Sequence, residues 1–350
     1  MVELSCQLFC PSIRSTQIVY KAIHRVIFFD GRDTIFRNQG DIFTYIPHSE
    51  IRNLTGFFFN DDFDVEYDYH FRTNNFGLVQ DADVMPGRES LLLLGDSFTE
   101  GQGAEPWFRQ VSPEIEKLGY QAVNGGLRGT GFEHWLKLAQ YLADKEVRIR
   151  KLVILFISDD YRRPVRNFEP GELRCLLSLT LCRGQETNYY RLPPPEELSL
   201  WIAKIRTDRA PITKKIWLKT RAEALLPGSY QVYKFFSERS DPAERQSRAA
   251  ISELIRLYGP ENVAFMHIPQ KDEIEGPRDL GLRARGSIEE AGGKLLDGFK
   301  LCRLTASDYY SNDGHPNRDG YAKIAVCVTN AIKKSIVDNS GSMSSVTSGQ

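Results

Sequence analysis

The chain has 350 residues, 41% of them hydrophobic, so it is long enough to bury the core of one large domain or two smaller ones. Its formal net charge of −1 and its lack of basic runs interleaved with aromatic residues exclude a surface built for nucleic acid. No apolar run approaches the roughly 18 residues of a membrane-spanning helix, so none is expected.

The six cysteines have neither zinc-ligand spacing nor the density of a disulfide framework. We expect them to be mostly small buried residues in a reducing compartment, with no metal site. The first residues lack the basic segment and apolar core of a signal peptide. The expectation is a cytoplasmic protein, and an export signal would require a start upstream of Met1.

The N-terminal residues 1–88 alternate aromatic and acidic residues with turn formers, as in “VIFFDGRD” and “DIFTYIPHSE”. Turn pairs such as “DG” and “TG” between short apolar runs favour strands over helices. We predict an N-terminal β-rich extension, either a small domain or a cover for a sheet edge.

From residue 89 the pattern changes to strands that alternate with helices. The predicted elements are, in order, a strand at 91–94, a helix near 105–118, a strand at 120–126, a helix at 131–147 and a strand at 151–157. The last strand, “KLVILFI”, is apolar on both faces, as a parallel sheet covered on both sides requires.

Residues 161 to about 240 interrupt this alternation and are rich in Arg, Tyr and Pro. We predict a largely helical insertion, in which Tyr189, Tyr190 and Trp201 either form a platform for a sugar ring or an acyl chain or serve as packing anchors. The alternation resumes with a helix in “PAERQSRAAISELIRLYG”, a strand in “NVAFMHI” and a long last helix. The tail at 339–350 is rich in Ser and Gly and is expected to be disordered.

Polar segments follow the first three strands, at the edge where an open parallel sheet collects its reactive groups. “GDSFTEG” puts Ser97 on a sharp strand-to-helix turn, where the helix amides favour negative charge. Taken alone, the segment also fits a helix cap made by Ser97 or Asp96. “NGGLRG” follows the second strand and “SDD” the third.

A serine hydroxyl needs a base before it becomes a good nucleophile, and “DGHPN” supplies a candidate just before the last helix. Asp313 stands two residues before His315, where it can accept the Nδ1 hydrogen and fix the tautomer of the ring. Taken alone, this segment is also an ordinary polar turn. His267, at the end of “NVAFMHI”, has no such carboxylate before it, so we expect it to contact substrate or the core.

The order of “GDSFTEG”, “NGGLRG” and “DGHPN” in this strand context resembles the SGNH (GDSL-type) hydrolase superfamily, over roughly residues 88–335 without the insertion. The resemblance implies a three-layer, flavodoxin-like α/β/α sandwich with a central parallel sheet, and serine esterase chemistry without a metal or organic cofactor. We therefore divide the chain into the extension at 1–88, an SGNH hydrolase domain at 89–338 that contains the insertion, and the tail.

The same resemblance assigns roles to individual residues. It implies Ser97 as the nucleophile, His315 as the base and Asp313 as the acid that orients it, with Asp308 a second choice for the acid. The oxyanion hole would use the backbone amides of Ser97 and Gly129.

The third segment departs from the family pattern Gly-x-Asn-Asp, whose asparagine amide donates to the oxyanion. Here Ile157 stands at the glycine position and Asp159 at the asparagine, and an ionised aspartate has no proton to donate. Losing one donor costs about 3–4 kcal/mol of transition-state stabilisation. Three alternatives remain: Asp159 is protonated beside Asp160 in a dry crevice, Arg162 or Arg163 donates instead, or the site is catalytically weak.

The predicted function is a serine esterase that removes short acyl groups such as acetyl from a carbohydrate. The substrate would be a small-molecule or glycan ester. The alternatives are an O-acyltransferase that uses the same acyl-enzyme, and a catalytically weak glycan-binding protein. The stretch “RTNNFGL” at 72–78 resembles the lead-in of some bacterial SGNH proteins linked to surface polysaccharides. The oligomeric state stays open.

Overall fold

The structure, a computed structural model, describes residues 24–30, 35–59, 62–104, 106–168, 189–208, 229, 242–276 and 281–340. The strands are β1 (His24–Asp30), β2 (Phe36–Gln39), β3 (Ile42–Tyr45), β4 (Glu50–Phe59), β5 (Asp62–Arg72), β6 (Glu89–Gly95), β7 (Gln121–Gly126), β8 (Arg148–Phe156), β9 (Tyr189–Arg191), β10 (Val263–His267) and β11 (Lys294–Asp297). The helices are α1 (Ser97–Glu100), α2 (Phe108–Glu116), α3 (Phe132–Asp144), α4 (198–208), α5 (Pro242–Tyr258), α6 (Lys271–Glu275), α7 (Leu282–Glu290), α8 (Gly298–Cys302) and α9 (Arg318–Ser340). Short 3₁₀ turns lie at Ser158–Arg162, Pro195–Glu197 and Ala306–Asp308.

The central sheet has five strands in the order β11-β10-β8-β6-β7, and every neighbouring pair is parallel. If β6 is taken as the first strand of this sheet, the order read from β7 is 2-1-3-4-5, which is the order of flavodoxin-like doubly wound folds. The prediction of a flavodoxin-like parallel sheet is thereby confirmed.

Helices cover both faces of this sheet. On one face Leu91 and Leu93 of β6 share a buried cluster with Val111 of α2 and Val328 of α9. On the other face α3 packs against β6 and β8. Because successive side chains of a strand point to opposite faces, the apolar run of β6 serves both layers at once. This is the three-layer sandwich that the resemblance implied.

The last helix buries the face that its spacing predicted. Its apolar positions Tyr321, Ile324, Ala325, Val328 and Ile332 are all at most 2% exposed. They recur at helical intervals, so one stripe of α9 faces the sheet. The helix includes residues 339 and 340, while the rest of the predicted disordered tail lies outside the described residues.

Two of the cysteines are buried, as expected, but they are paired, which a reducing compartment does not favour. Cys302 at the end of α8 and Cys327 in α9 form a disulfide with a Cα–Cα distance of 5.0 Å. Both residues are 5% exposed. The bond spans 25 positions and encloses the segment that carries Asp313 and His315. The other four cysteines lie outside the described residues.

The N-terminal region is rich in strands, as predicted. A second sheet has the order β5-β4-β1-β9, and β2 pairs with β3 in an antiparallel hairpin. Strand β9 comes from the predicted insertion and runs parallel to β1. The rest of the insertion that can be described is a 3₁₀ turn and α4, because 169–188 and most of 209–241 lie outside the described residues.

The three aromatic residues proposed as a platform or as packing anchors all make packing contacts with the second sheet. Tyr190 is 4% exposed and packs with Phe28, their ring centroids 6.0 Å apart. Trp201 is partly buried against the same cluster. Tyr189 packs edge-on against Phe29 at 5.6 Å. These rings therefore stabilise the β1–β9 sheet.

The chain forms two compact units. One comprises Met1–Thr34, Asn53–Asp68 and Glu169–Pro242, and the other Ile35–Arg52, Tyr69–Phe168 and Ala243–Gln350. The five-stranded sheet lies in the second unit. The boundaries 1–88 and 89–338 stay a prediction. No helix in the described ranges is at once long and apolar enough to cross a bilayer.

Candidate active site

The residues of “GDSFTEG” form the turn after β6 and cap the short helix α1. Asp96 caps α1, since its Oδ1 accepts a hydrogen bond from the Phe98 amide at 2.9 Å. Gly101 ends the helix in the left-handed region (φ 92°) and donates to the Ser97 carbonyl at 3.1 Å. Ser97 is 6% exposed. Both ends of this single helical turn are thus satisfied locally, which fixes the Ser97 side chain at the carboxyl edge of the sheet.

The structure brings together Ser97, His315 and Asp313. Nε2 of His315 lies 2.7 Å from Oγ of Ser97, and Nδ1 lies 2.7 Å from Oδ2 of Asp313. The Asp313 side chain is 1% exposed and that of His315 is 11% exposed. With Asp313 ionised, Nδ1 carries the ring hydrogen and Nε2 accepts from the hydroxyl.

The imidazole is held from several sides. Its ring lies against Phe98 with the centroids 5.2 Å apart. The carbonyl of His315 accepts from the Tyr310 amide at 2.9 Å. Oδ2 of Asp313 is also 3.5 Å from Nε2 of Gln102, the residue that follows “GDSFTEG”. The residue after “GDSFTEG” therefore also contacts the carboxylate that pairs with His315.

Asp308, the second choice for the acid, has other partners. Its carboxylate accepts from Lys323 Nζ and from the Thr305 amide, both at 2.7 Å. Burial raises the pKa of Asp308, but the hydrogen bonds from Lys323 and Thr305 and the charge of Lys323 outweigh it, so that the pKa lies below its usual range. The carboxylate bonded to the imidazole is that of Asp313.

The loop after β7 is fastened to the end of β6. The amide of Leu127 donates to the Gly95 carbonyl at 3.0 Å, and the Thr130 hydroxyl donates to the same oxygen at 3.4 Å. Gly129 lies between them with φ 70°, and open space surrounds the position that a Cβ would take. The backbone of Gly129 is therefore held next to the Ser97 turn.

Gly126 is required by a close approach of the backbone. A Cβ on this residue would lie 2.5 Å from the carbonyl carbon of Thr99 and would clash with the Glu100 amide. Asn124 orders the same strand end, because its side chain accepts from the Gly126 amide at 3.0 Å and donates to the Val79 carbonyl at 2.8 Å. The segment “NGG” thus makes room for α1.

A buried ion pair that sequence reasoning missed ties the first motif to the second. Glu100 and Arg128 have side chains 1% and 2% exposed, and their charged groups are in contact. Glu100 also accepts from the Arg128 amide at 2.9 Å and from the Tyr45 hydroxyl at 3.0 Å, and Tyr69 accepts from Arg128 at 3.1 Å. The only sequence signal for this pair was an acidic residue in “GDSFTEG” and a basic residue in “NGGLRG”. Neither motif by itself indicates which residue the charge pairs with.

The third segment separates its two aspartates. Asp159 is exposed, and its Oδ2 accepts from Nε2 of Gln270 at 3.2 Å. Asp160 is fully buried and accepts from the Ile157 amide at 2.9 Å. The dry surroundings that would keep a carboxyl protonated are therefore those of Asp160 and not those of Asp159. Burial, and then the charge of Asp96, raise the pKa of Asp160 well above its usual value, although Arg163 opposes them.

The two arginines that follow have different partners. Arg162 Nε donates to Glu244 at 3.0 Å. Arg163 Nη1 donates to Oδ2 of Asp96 at 2.7 Å and also contacts Asp160. Oδ2 of Asp96 is also 3.3 Å from Oγ of Ser97. Arg163 therefore binds the carboxylate that lies next to the Ser97 hydroxyl.

His267 belongs to a separate buried cluster. Its Nε2 lies 3.2 Å from the Ser158 hydroxyl and 3.5 Å from Oε2 of Glu273. Its ring stacks on Phe156 with the centroids 5.1 Å apart. Burial raises the pKa of Glu273, but hydrogen bonds from His267 and Ser158 and the charge of His267 lower it below its usual range. His267 is therefore a core residue, one of the two roles expected for it.

No three His, Cys, Asp or Glu side chains converge as metal ligands in the part of the chain that the structure describes. Searches with the sequence find no matching family model and no matching curated protein.

Several solved structures are similar at low identity. The lipase/acylhydrolase from Enterococcus faecalis is 14% identical, with a TM-score of 0.38, and the match covers 71% of this chain and 96% of that one. The psychrotrophic esterase EstA from Pseudoalteromonas sp. is 14% identical, with a TM-score of 0.36 and coverages of 70% and 97%. A catalytic mutant of Axe2, an acetylxylan esterase from Geobacillus stearothermophilus, is 13% identical, with a TM-score of 0.35 and coverages of 71% and 94%. These likenesses are weak, and the flavodoxin-like assignment rests on the strand order of the sheet.

Proposed function

We propose that the chain is a serine hydrolase that cleaves carboxylic esters through an acyl-enzyme on Ser97. The observation that carries the proposal is the unbroken hydrogen-bonded series from the Ser97 hydroxyl through both nitrogens of His315 to Asp313. A hydroxyl, an imidazole and a buried carboxylate in that order are what nucleophilic acyl transfer requires.

In the first half-reaction the Ser97 proton moves to Nε2 of His315 while Oγ bonds to the ester carbonyl carbon. The π electron pair of the carbonyl moves onto its oxygen, which becomes an oxyanion. The pair then returns, the bond to the alcohol oxygen breaks, and Nε2 gives its proton to that oxygen. Water repeats the same steps on the acyl-enzyme, and Asp313 stabilises the imidazolium in both halves.

The amides of Ser97 and Gly129 are the proposed donors to the oxyanion. Gly129 is suited to this role because two hydrogen bonds to the Gly95 carbonyl hold its loop beside the nucleophile. Preorganised backbone donors of this kind are worth several kcal/mol in the transition state. Asp159, at the position of the third donor, presents an exposed carboxylate that already accepts from Gln270.

The proposed substrate is a short acyl ester, such as an acetyl group on a carbohydrate. The support for an ester substrate is the resemblance of “GDSFTEG”, “NGGLRG” and “DGHPN” to SGNH hydrolases. The support for a carbohydrate is the resemblance of “RTNNFGL” to the lead-in of some bacterial SGNH proteins linked to surface polysaccharides. Asp159 favours one alternative, a glycan-binding protein with a weak site, because an ionised carboxylate cannot donate to an oxyanion.

A fluorophosphonate probe separates these functions. We expect the intact protein to be labelled and Ser97→Ala to remain unlabelled, since the probe reports an activated serine. Acetylated sugars and nitrophenyl esters should then be hydrolysed by the wild type only. An unlabelled wild type would favour the glycan-binding alternative. If added acceptor sugars are acylated faster than water is consumed, the transferase alternative is correct.

A further inference from the structure

The proposed oxyanion hole has one position without a donor. In the family pattern this position is an asparagine amide, and here it is Asp159, whose carboxylate faces Gln270. Two backbone amides remain for a full negative charge. Removing one donor from such a site typically costs about 100-fold to 1,000-fold in kcat. A group that supplies the missing hydrogen bond must lie near both Ser97 and Gly129.

The guanidinium of Arg163 lies in this place. Its Nη1 is 2.7 Å from Oδ2 of Asp96, the residue before Ser97, and 3.3 Å from the carbonyl of Thr130, the residue after Gly129. One nitrogen of Arg163 thus contacts the chain neighbour of each proposed amide donor. The third segment reaches this position because Gly131 has no side chain. A Cβ on it would lie 2.5 Å from the Asp160 carbonyl oxygen and 3.0 Å from Cβ of Arg163.

Within the described residues, only one nitrogen of the guanidinium is hydrogen-bonded to protein. The side-chain hydrogen bonds of Arg163 are all made by Nη1, to Asp96, Asp160 and Thr130. A guanidinium has five N–H groups in a planar fork, so the hydrogens on Nε and Nη2 remain available. The side chain is 26% exposed, whereas those of Asp96 and Asp160 are 0% exposed. The side chain of Arg163 is therefore partly accessible to solvent or a substrate, while the two carboxylates that bind it are not.

Two buried carboxylates hold the cation in place before any substrate binds. Asp96 of the first segment and Asp160 of the third both form ion pairs with Nη1. Asp160 in turn accepts a hydrogen bond from the Ile157 amide. Burial lowers the pKa of Arg163, but the charges of Asp160 and Asp96 outweigh it and raise the pKa above its usual value. A charged donor that needs no reorientation is most effective where negative charge develops.

We propose that Arg163 is the third oxyanion donor, and that its free guanidinium edge bonds the carbonyl oxygen as this oxygen becomes negative. The inference rests on the proposed serine hydrolase function. It makes Arg163 a catalytic residue, and it removes the need for a protonated Asp159.

The test compares Arg163→Met and Arg163→Lys with Arg162→Met on a neutral acetyl ester. Arg162 is the matched control because it lies one residue away and pairs with Glu244 instead of Asp96. We expect Arg163→Met to lower kcat by about 100-fold to 1,000-fold with little change in KM. Arg163→Lys should lose less kcat, since lysine keeps the positive charge but lacks the planar set of N–H donors. Arg162→Met should have the kcat of the wild type.

A transition-state analogue gives a second readout. A phenylboronic acid forms a tetrahedral adduct with Ser97, with an oxygen at the proposed oxyanion position. Its inhibition constant should rise across the variants in proportion to the fall in kcat/KM. Binding of the product alcohol, which has no such oxygen, should stay the same.

Three results would overturn the inference. The first is a kcat of Arg163→Met equal to that of the wild type. The second is a variant whose KM rises while its kcat is unchanged. The third is recovery of activity in Asp96→Asn/Arg163→Met, since Arg163 would then act only by neutralising Asp96. If Arg163→Met does not fold, Arg163→Lys decides by the same criteria. Failure of the proposed function is distinct, since the wild type would then show no turnover that depends on Ser97.

Discussion

The imidazole Nε2 of His315 lies 2.7 Å from the hydroxyl oxygen of Ser97, although 218 positions separate the two residues in the chain. The first strand of the central sheet carries the hydroxyl, and the loop before the last helix carries the ring. Both loops lie at the carboxyl edge of the sheet, so the parallel topology brings them together.

Asp313→Asn should impair turnover far more than Asp308→Asn. Asparagine at 313 favours the wrong tautomer of His315, and the equivalent change in a Ser-His-Asp triad costs about 10,000-fold in kcat. Asp308 bonds Lys323 and Thr305, so its substitution should leave kcat unchanged and lower stability by about 1.5–3 kcal/mol. Steady-state kinetics and urea unfolding of both variants check this, and equal kinetic losses would contradict it.

Arg128→Met should strongly destabilise the protein because it leaves the charge of Glu100 buried without its partner. Breaking a buried pair from one side costs about 3–5 kcal/mol of unfolding free energy. Arg72→Met is the matched control, since Arg72 and Glu50 are 61% and 63% exposed and 3.4 Å apart. An exposed pair contributes about 0–1 kcal/mol. Similar midpoints of urea unfolding for the two variants would show that the buried pair is not stabilising.

Gly126→Ala should destabilise the fold and lower activity. Its Cβ would press on the backbone of Thr99 and Glu100, and overpacking of this kind costs about 1–3 kcal/mol. Gly286→Ala is the control, and we expect it to raise stability instead of lowering it. Gly286 lies inside α7 with nothing within 4 Å of its Cβ position, so alanine should stabilise the helix by about 0.5–1 kcal/mol. Thermal unfolding compares them, and a Gly126→Ala protein as stable as the wild type would refute the close approach.

Asp308 should make part of the stability sensitive to acid. Its pKa is lower in the folded chain than in the unfolded one, where it is about 3.9. The contribution is therefore complete above that value and is lost as the pH falls through the lower, folded pKa. The difference in unfolding free energy between wild type and Asp308→Asn should be constant near neutral pH and shrink below about pH 4. Urea titrations across this range measure it, and a difference that does not depend on pH would exclude the mechanism.

The elements of the sheet could be predicted because each has its own local pattern. The apolar runs of β6 and β8 and the helical spacing of α9 are complete within a few residues. Ser97, His315 and Asp313 could be named because each lies in a short motif next to a predicted strand or helix. Asp313 also stands close enough in sequence to His315 to reveal their pairing.

What was missed depends on partners distant in sequence. No spacing rule joins Glu100 to Arg128 or Cys302 to Cys327, since only the fold decides which side chains meet. Strand β9 has three residues and lies in a Pro-rich stretch, so its pairing with β1 has no periodic signal. The roles of Asp159 and Asp160 were assigned by position, while the structure exposes the first and buries the second.

The interleaving of the two units has a consequence for biosynthesis. Each unit is assembled from three separate stretches of the chain, so neither is complete when the ribosome has made only the first half. Strand β1 must wait for β9, more than 150 residues later, before their ladder can form. Contacts between residues so far apart in sequence slow folding, and strand edges stay unpaired until the partner strand is made. A truncated gene beginning at residue 89 would also delete Tyr45 and Tyr69, and with them the hydroxyls that surround the Glu100–Arg128 pair.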